Sequence, residues 1–121
     1  MNDSEIISLY RNRFCNSLEG KWITAEGTFS KQEDVFEFFA NGQGVWLSSG
    51  ANYEEKTNFY WRQKGPLAIE IREEDEDKWI EIEYDFKIIE NDISTQVILC
   101  QKNFETFYLA VSKITYCEPI K

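Results

Sequence analysis

The sequence predicts a mostly β protein: an antiparallel up-and-down barrel or bent sandwich of about eight strands, preceded by one short N-terminal helix. Three observations carry this prediction. From residue 20 onward apolar side chains recur with a period of two, the strand period. The connections are short and built from turn residues, with Asn41-Gly42, the KGP at 64–66 and Asn91-Asp92 as the clearest cases. No second helical segment is available to cross between parallel strands, so neighbours pair antiparallel. The 121 residues form one domain, 1–121, with a helix over 4–14 and the strands over 20–116.

The helix reads as SEIISLYRNRF. Asp3 or Ser4 can cap it, Glu5 lies near the positive end of its dipole, and Ile6, Ile7, Tyr10 and Phe14 form one apolar stripe. Strands follow at 20–27, 34–40 and 43–49, the last two joined at Asn41-Gly42. A polar stretch then reads as a loop before a strand at 58–63. Leu67, Ile69 and Ile71 alternate through 67–72, and Ile80, Ile82, Tyr84 and Phe86 through 78–87. Strands at 93–100 and 104–114 complete the set. Closing such a meander into a barrel removes exposed edges.

The formal net charge is −9. Phosphate recognition needs a cationic surface, so nucleic acid is not expected as a ligand, nor is an anionic membrane. The natural partners of such an acidic chain are basic proteins, cations, or nothing in particular. The imbalance is local: residues 70–92 hold 11 acidic and 3 basic side chains, a net of −8, and the remaining 98 carry a net of −1.

Within that segment 67–72 and 78–87 form a hairpin around EEDED. Matching the apolar faces sets an odd position against an even one, because a one-residue slip would bury the charges, and one register that satisfies this places Ile71 opposite Ile80, Ile69 opposite Ile82 and Leu67 opposite Tyr84. Glu70 then faces Glu81 on the outer side, where like charges are mildly destabilising. The candidate partner-binding residues are Glu70, Glu73, Glu74, Asp75, Glu76, Asp77, Trp79, Glu81, Glu83 and Asp85. Trp79 is included because parity turns it outward among the carboxylates, and tryptophan is a frequent interface anchor. The competing reading is a solvated turn with edge-protecting glutamates. A calcium loop is not expected, since the run lacks the glycine and ligand spacing of an EF-hand.

Elsewhere, Trp22, Trp46 and Trp61 read as core. Phe36, Phe38, Phe39, Tyr53, Phe59, Tyr60, Phe104, Phe107 and Tyr108 either fill the interior or line a small ligand cavity. There is no histidine, which excludes histidine bases and ligands. Cys15, Cys100 and Cys117 fit neither a zinc site nor a redox pair and read as free thiols of a cytoplasmic protein. No enzymatic activity, metal or cofactor is expected. The N-terminus lacks the charged start and apolar run of a signal peptide.

Two resemblances add expectations. LEGKWITAEG, with Gly20 and Trp22 after a short helix, resembles the G-x-W opening of lipocalin-like and calycin-like proteins. That likeness implies a barrel with Trp22 closing one end, and as an alternative function an intracellular binder of a small apolar ligand. A small, acidic, single-domain chain with such a carboxylate cluster is also similar to bacterial toxin immunity proteins of the contact-dependent inhibition type. That likeness implies an inhibitor that occludes a basic toxin domain, a nuclease by expectation, with the hairpin carboxylates meeting its Lys and Arg side chains.

Overall fold

The computed structural model describes residues 2–24, 33–90, 95–102 and 114–117. It consists of α1 (Asp3–Phe14), β1 (Gly20–Thr24), β2 (Glu33–Phe38), β3 (Gln43–Ser49), β4 (Glu54–Gly65), β5 (Ala68–Glu73), β6 (Ile80–Glu90), β7 (Thr95–Gln101) and β8 (Ile114–Cys117). The eight strands pair antiparallel in chain order and β8 returns to β1, so the sheet closes as a barrel. Of the two expected architectures, the barrel is the one found.

The cap of α1 is Asn2, not Asp3 or Ser4. Asn2 is extended, and its side chain accepts from the Glu5 amide at 2.9 Å, one of the orphan donors of the first turn. Ile7, Tyr10 and Phe14 turn toward the barrel as their spacing predicts.

In the expected β5–β6 hairpin, Ile71 pairs with Ile80, Glu70 with Glu81 and Ile69 with Ile82. The Tyr84 amide donates to the Leu67 carbonyl, although Leu67 itself belongs to the turn. Most ends shift by a residue or two, and three elements differ more from expectation. The polar run Glu54, Glu55, Lys56, Thr57 is strand, because it pairs with Trp46–Ser49 of β3. The second hairpin strand begins at Ile80 rather than residue 78 and continues to Glu90. The final strand is Ile114–Cys117; the rest of the expected 104–114 lies outside the described residues, as do 25–27 of the first strand and the Asn91-Asp92 turn.

Alternating strand directions put the 39–42 and 65–68 turns at one end of the barrel and the 50–53 and 74–79 connections at the other. The chain enters at the first end, and α1 seals it. Phe14 packs edge-on against Trp22 at 5.0 Å, Trp22 stacks on Phe86 at 6.1 Å, and the Trp22 indole donates to the Leu18 carbonyl at 3.0 Å. Phe36, Phe38, Phe59, Ile69, Ile71, Ile82, Tyr84 and Leu99 fill the space beyond, each almost fully buried. Burial of each such side chain contributes about 1.5–3 kcal/mol. Phe59 lies over Gly44, where a Cβ would stand 2.3 Å from its ring, so the aromatic row needs a glycine there.

The helix C-terminus is bound to the barrel by a polar latch. The Tyr84 hydroxyl donates to the Phe14 carbonyl. The Gln63 amide nitrogen donates to the Cys15 carbonyl at 2.9 Å, and the Leu67 amide reaches the same oxygen at 2.8 Å. These bonds satisfy carbonyls that the helix leaves without partners. Leu67 takes φ 57° in this turn, a left-handed conformation costing a non-glycine residue roughly 1–2 kcal/mol, and is held there by its amide bond and by packing on the core. Burial pushes the Tyr84 phenol up to about 12, so it stays a donor.

Candidate functional site

The outer face of β4–β5–β6 carries the charged positions, and the register decides what each one meets. Arg62 pairs with Glu70 across β4–β5, and Glu70 with Glu81 across β5–β6. The two facing glutamates are separated by their choice of partner. Arg62 Nε donates to Glu70 at 3.0 Å, and Lys64 Nζ to Glu81 at 3.1 Å. Asp85 is held by α1: Arg11 donates through Nε and Nη2 to its two oxygens, each at 2.8 Å. That fork, with the Phe86 amide as a further donor, keeps the Asp85 carboxyl below its ordinary range.

Trp79 lies on the outer side as expected, but half-buried. Arg62 sits over its ring at 4.0 Å, and Arg72 lies 5.6 Å from it on its way to Tyr60 at 4.7 Å. A ladder of alternating arginines and aromatics therefore covers the indole. Glu70, Glu81 and Asp85 are bound to cations of the same chain, and Glu73 and Glu83 also have intramolecular partners. Only part of the predicted carboxylate surface is thus available to another molecule. Tyr84 points inward and is fully buried.

The remaining four predicted residues, Glu74, Asp75, Glu76 and Asp77, stand exposed between β5 and β6. None of them is in an ion pair among the described residues. Their backbone is fixed: the Glu74 amide donates to Asn58 at 3.0 Å, the Glu76 amide to Glu73 at 3.0 Å, and Arg72 Nη1 to the Glu76 carbonyl at 2.7 Å. Arg72 thus meets the turn through a backbone carbonyl rather than through one of these four carboxylates.

Sequence reasoning missed the neighbouring residues. β4 runs past the end of β5 along the same barrel end, bringing Tyr53, Glu54 and Glu55 to the rim. Segments 53–57 and 72–78 together hold seven carboxylates against Lys56, Arg72 and Lys78. Tyr53 is 48% exposed. The inner face of the overhang is polar, with Asp34, Ser48 and Glu55 forming one cross-strand row. Asp34 is buried and accepts from the Trp46 indole at 2.9 Å, and Trp46 stacks on Phe36 at 5.1 Å. The parity that makes this row core-facing was readable, but only once EEKT is taken as strand.

Of the aromatics expected to fill or line the interior, Phe36, Phe38 and Phe59 are buried. Phe39 and Tyr53 are exposed, Tyr60 lies on the outer face, and Phe104, Phe107 and Tyr108 lie outside the described residues. Trp22 and Trp61 are core, and Trp46 borders a cavity of about 180 Å³ at the overhang.

Cys15 and Cys100 are free thiols, and burial raises the Cys100 thiol, which keeps it protonated and a poor nucleophile. Among the described residues no group of three or more metal-ligating side chains could hold an ion, and no helix is long and apolar enough to cross a membrane. Comparison with protein-family models, with curated proteins and with solved structures finds no match to this chain.

Proposed function

We propose that the protein is a binding module for a cationic protein surface, of the kind an immunity protein holds against a basic toxin domain, and that its contact surface is the acidic rim opposite α1. One observation carries the reading: four consecutive exposed carboxylates stand on a turn whose backbone is held by three hydrogen bonds, and none of the four is in an ion pair among the described residues. A backbone fixed in advance loses little entropy on binding, and a concentrated field steers an oppositely charged partner. Glu54, Glu55 and Tyr53 widen the same rim. Glu70, Glu81 and Asp85 serve the barrel instead, orienting Arg62, Lys64 and Arg11.

The mechanism is occlusion. The rim collects the partner by long-range attraction, and the few charge pairs that lose water on contact set the lifetime of the complex. The test is affinity capture from the native host with the wild type and with a variant carrying E74K, D75K, E76K and D77K. Retention of a protein with a basic domain by the wild type alone supports the proposal. Equal retention by both removes the rim as the contact surface.

A further inference from the structure

The polar overhang has the makings of a receptor for one side chain. Trp46, Ser48, Tyr53, Glu55 and Thr57 line a cavity of about 180 Å³, many times the room that one water needs. Trp46 pairs with Thr57 and Ser48 with Glu55, so four of the five belong to two adjacent rows on one face of β3–β4. This is the core-facing side, since Trp46 stacks on the buried Phe36. The rows beside it on β2–β4 are apolar, with Phe36, Phe38, Phe59 and Trp61, whereas here that side carries hydroxyls and carboxylates. Behind the wall, buried Asp34 fixes the indole by accepting its N–H. Tyr53 folds its ring over Gly50, where a Cβ would come within 2.4 Å of it, and the Gly50 amide donates to the Tyr53 carbonyl at 2.9 Å.

Aromatic walls, hydroxyl acceptors and an exposed carboxylate make up the chemistry that receives an organic cation. A planar guanidinium fits best, because it stacks on an aromatic face while its edge donates to a carboxylate. We infer that this cavity seats one arginine side chain of the basic partner, with Glu55 as its counter-ion and Trp46 and Tyr53 as its walls. The inference rests on the proposed docking of a cationic protein at this rim and adds the anchor point. The acidic turn supplies attraction at a distance, and the cavity supplies the short-range recognition that turn carboxylates alone lack.

The test separates the two layers. Nα-acetyl-argininamide is titrated into the labelled protein and followed by amide and indole NMR signals, with the neutral citrulline analogue as control. Saturable shifts of the Trp46 indole and of the Ser48 and Thr57 amides are expected, roughly tenfold weaker for citrulline and weakened about fivefold or more by Glu55→Gln. No saturable shift at those groups, an equal response to citrulline, or indifference to Glu55→Gln overturns the inference. With the captured protein, Glu55→Gln and Tyr53→Ala are expected to speed dissociation. If both leave it unchanged while charge reversal of 74–77 abolishes capture, the anchor is refuted and the docking reading stands. If argininamide binds in the cavity and turn reversal leaves capture intact, the docking reading fails and the cation site is upheld.

Discussion

Replacing Tyr84 with Phe tests how the helix is joined to the barrel. The substitution keeps the ring, which is fully buried and packs edge-on against Phe86 at 6.1 Å. It deletes the hydroxyl that donates to the Phe14 carbonyl and accepts from Gln63 at 3.0 Å. Gln63 retains the Cys15 and Gly65 carbonyls at 2.9 and 2.8 Å, so the principal loss is one buried helix-terminal acceptor left without its donor. A deletion of this kind costs about 1–2 kcal/mol. For a domain of this size that lowers the melting temperature by roughly 3–10 °C.

The pH dependence supplies a second, independent readout. Burial raises the Tyr84 phenol to about 12, above the value of about 10 expected in the unfolded chain. Its contribution is therefore complete below pH ~10 and is lost as the pH rises toward 12. Guanidinium unfolding of wild type and Tyr84→Phe at pH 7 and across pH 9–12 measures both effects. The wild type is expected to lead at neutral pH and to lose that lead through the alkaline range. Equal stability at pH 7, or a gap that stays constant to pH 12, refutes the latch.

Three further outcomes follow from the same geometry. Gly44→Ala places a Cβ 2.3 Å from the Phe59 ring and 2.9 Å from the Glu37 carbonyl, and is expected to destabilise by about 1–3 kcal/mol in denaturant unfolding. Asp85 is held below its ordinary carboxylate range by Arg11, so its contribution is present above pH ~4 and lost as the pH falls through its lower folded-state value; Asp85→Asn should flatten the acid limb of the stability profile. Trp46→Phe removes the indole donor to buried Asp34 and should cost about 1–3 kcal/mol by thermal unfolding, whereas Tyr53→Ala at the exposed rim should change stability by less than about 0.5 kcal/mol.

Much of the barrel was legible because the strand period is two and one face is buried. Parity required an odd position of one strand to face an even position of the other, since any odd slip would have buried glutamates, and the register found, Ile69 against Ile82 and Ile71 against Ile80, is one of those it allows. The extension of β4 over Glu54–Thr57 was not legible. EEKT has the composition of a loop, and its strand conformation comes from pairing with β3. The intramolecular ion pairs of the candidate surface were not legible for a related reason. Arg11 reaches Asp85 from 74 residues away and Lys64 reaches Glu81 from the preceding hairpin, so neutralisation is a tertiary fact. Arg62 against Glu70 was within reach, because β4 and β5 form a hairpin around the KGP turn and both residues have outward parity. The carboxylates at 74–77 kept their predicted exposure because no strand of the described barrel brings a cation opposite them.

The central claim is that the turn at 74–77 recruits a cationic protein through its field. The direct measurement is the association rate of the captured partner, followed by stopped flow from about 20 mM to 1 M salt. It compares wild type with a variant neutralised by E74Q, D75N, E76Q and D77N. The account predicts association at least about tenfold faster for wild type at low salt, with a steeper salt dependence and convergence near 1 M. Equal rates and equal slopes for the two proteins across that range would contradict it.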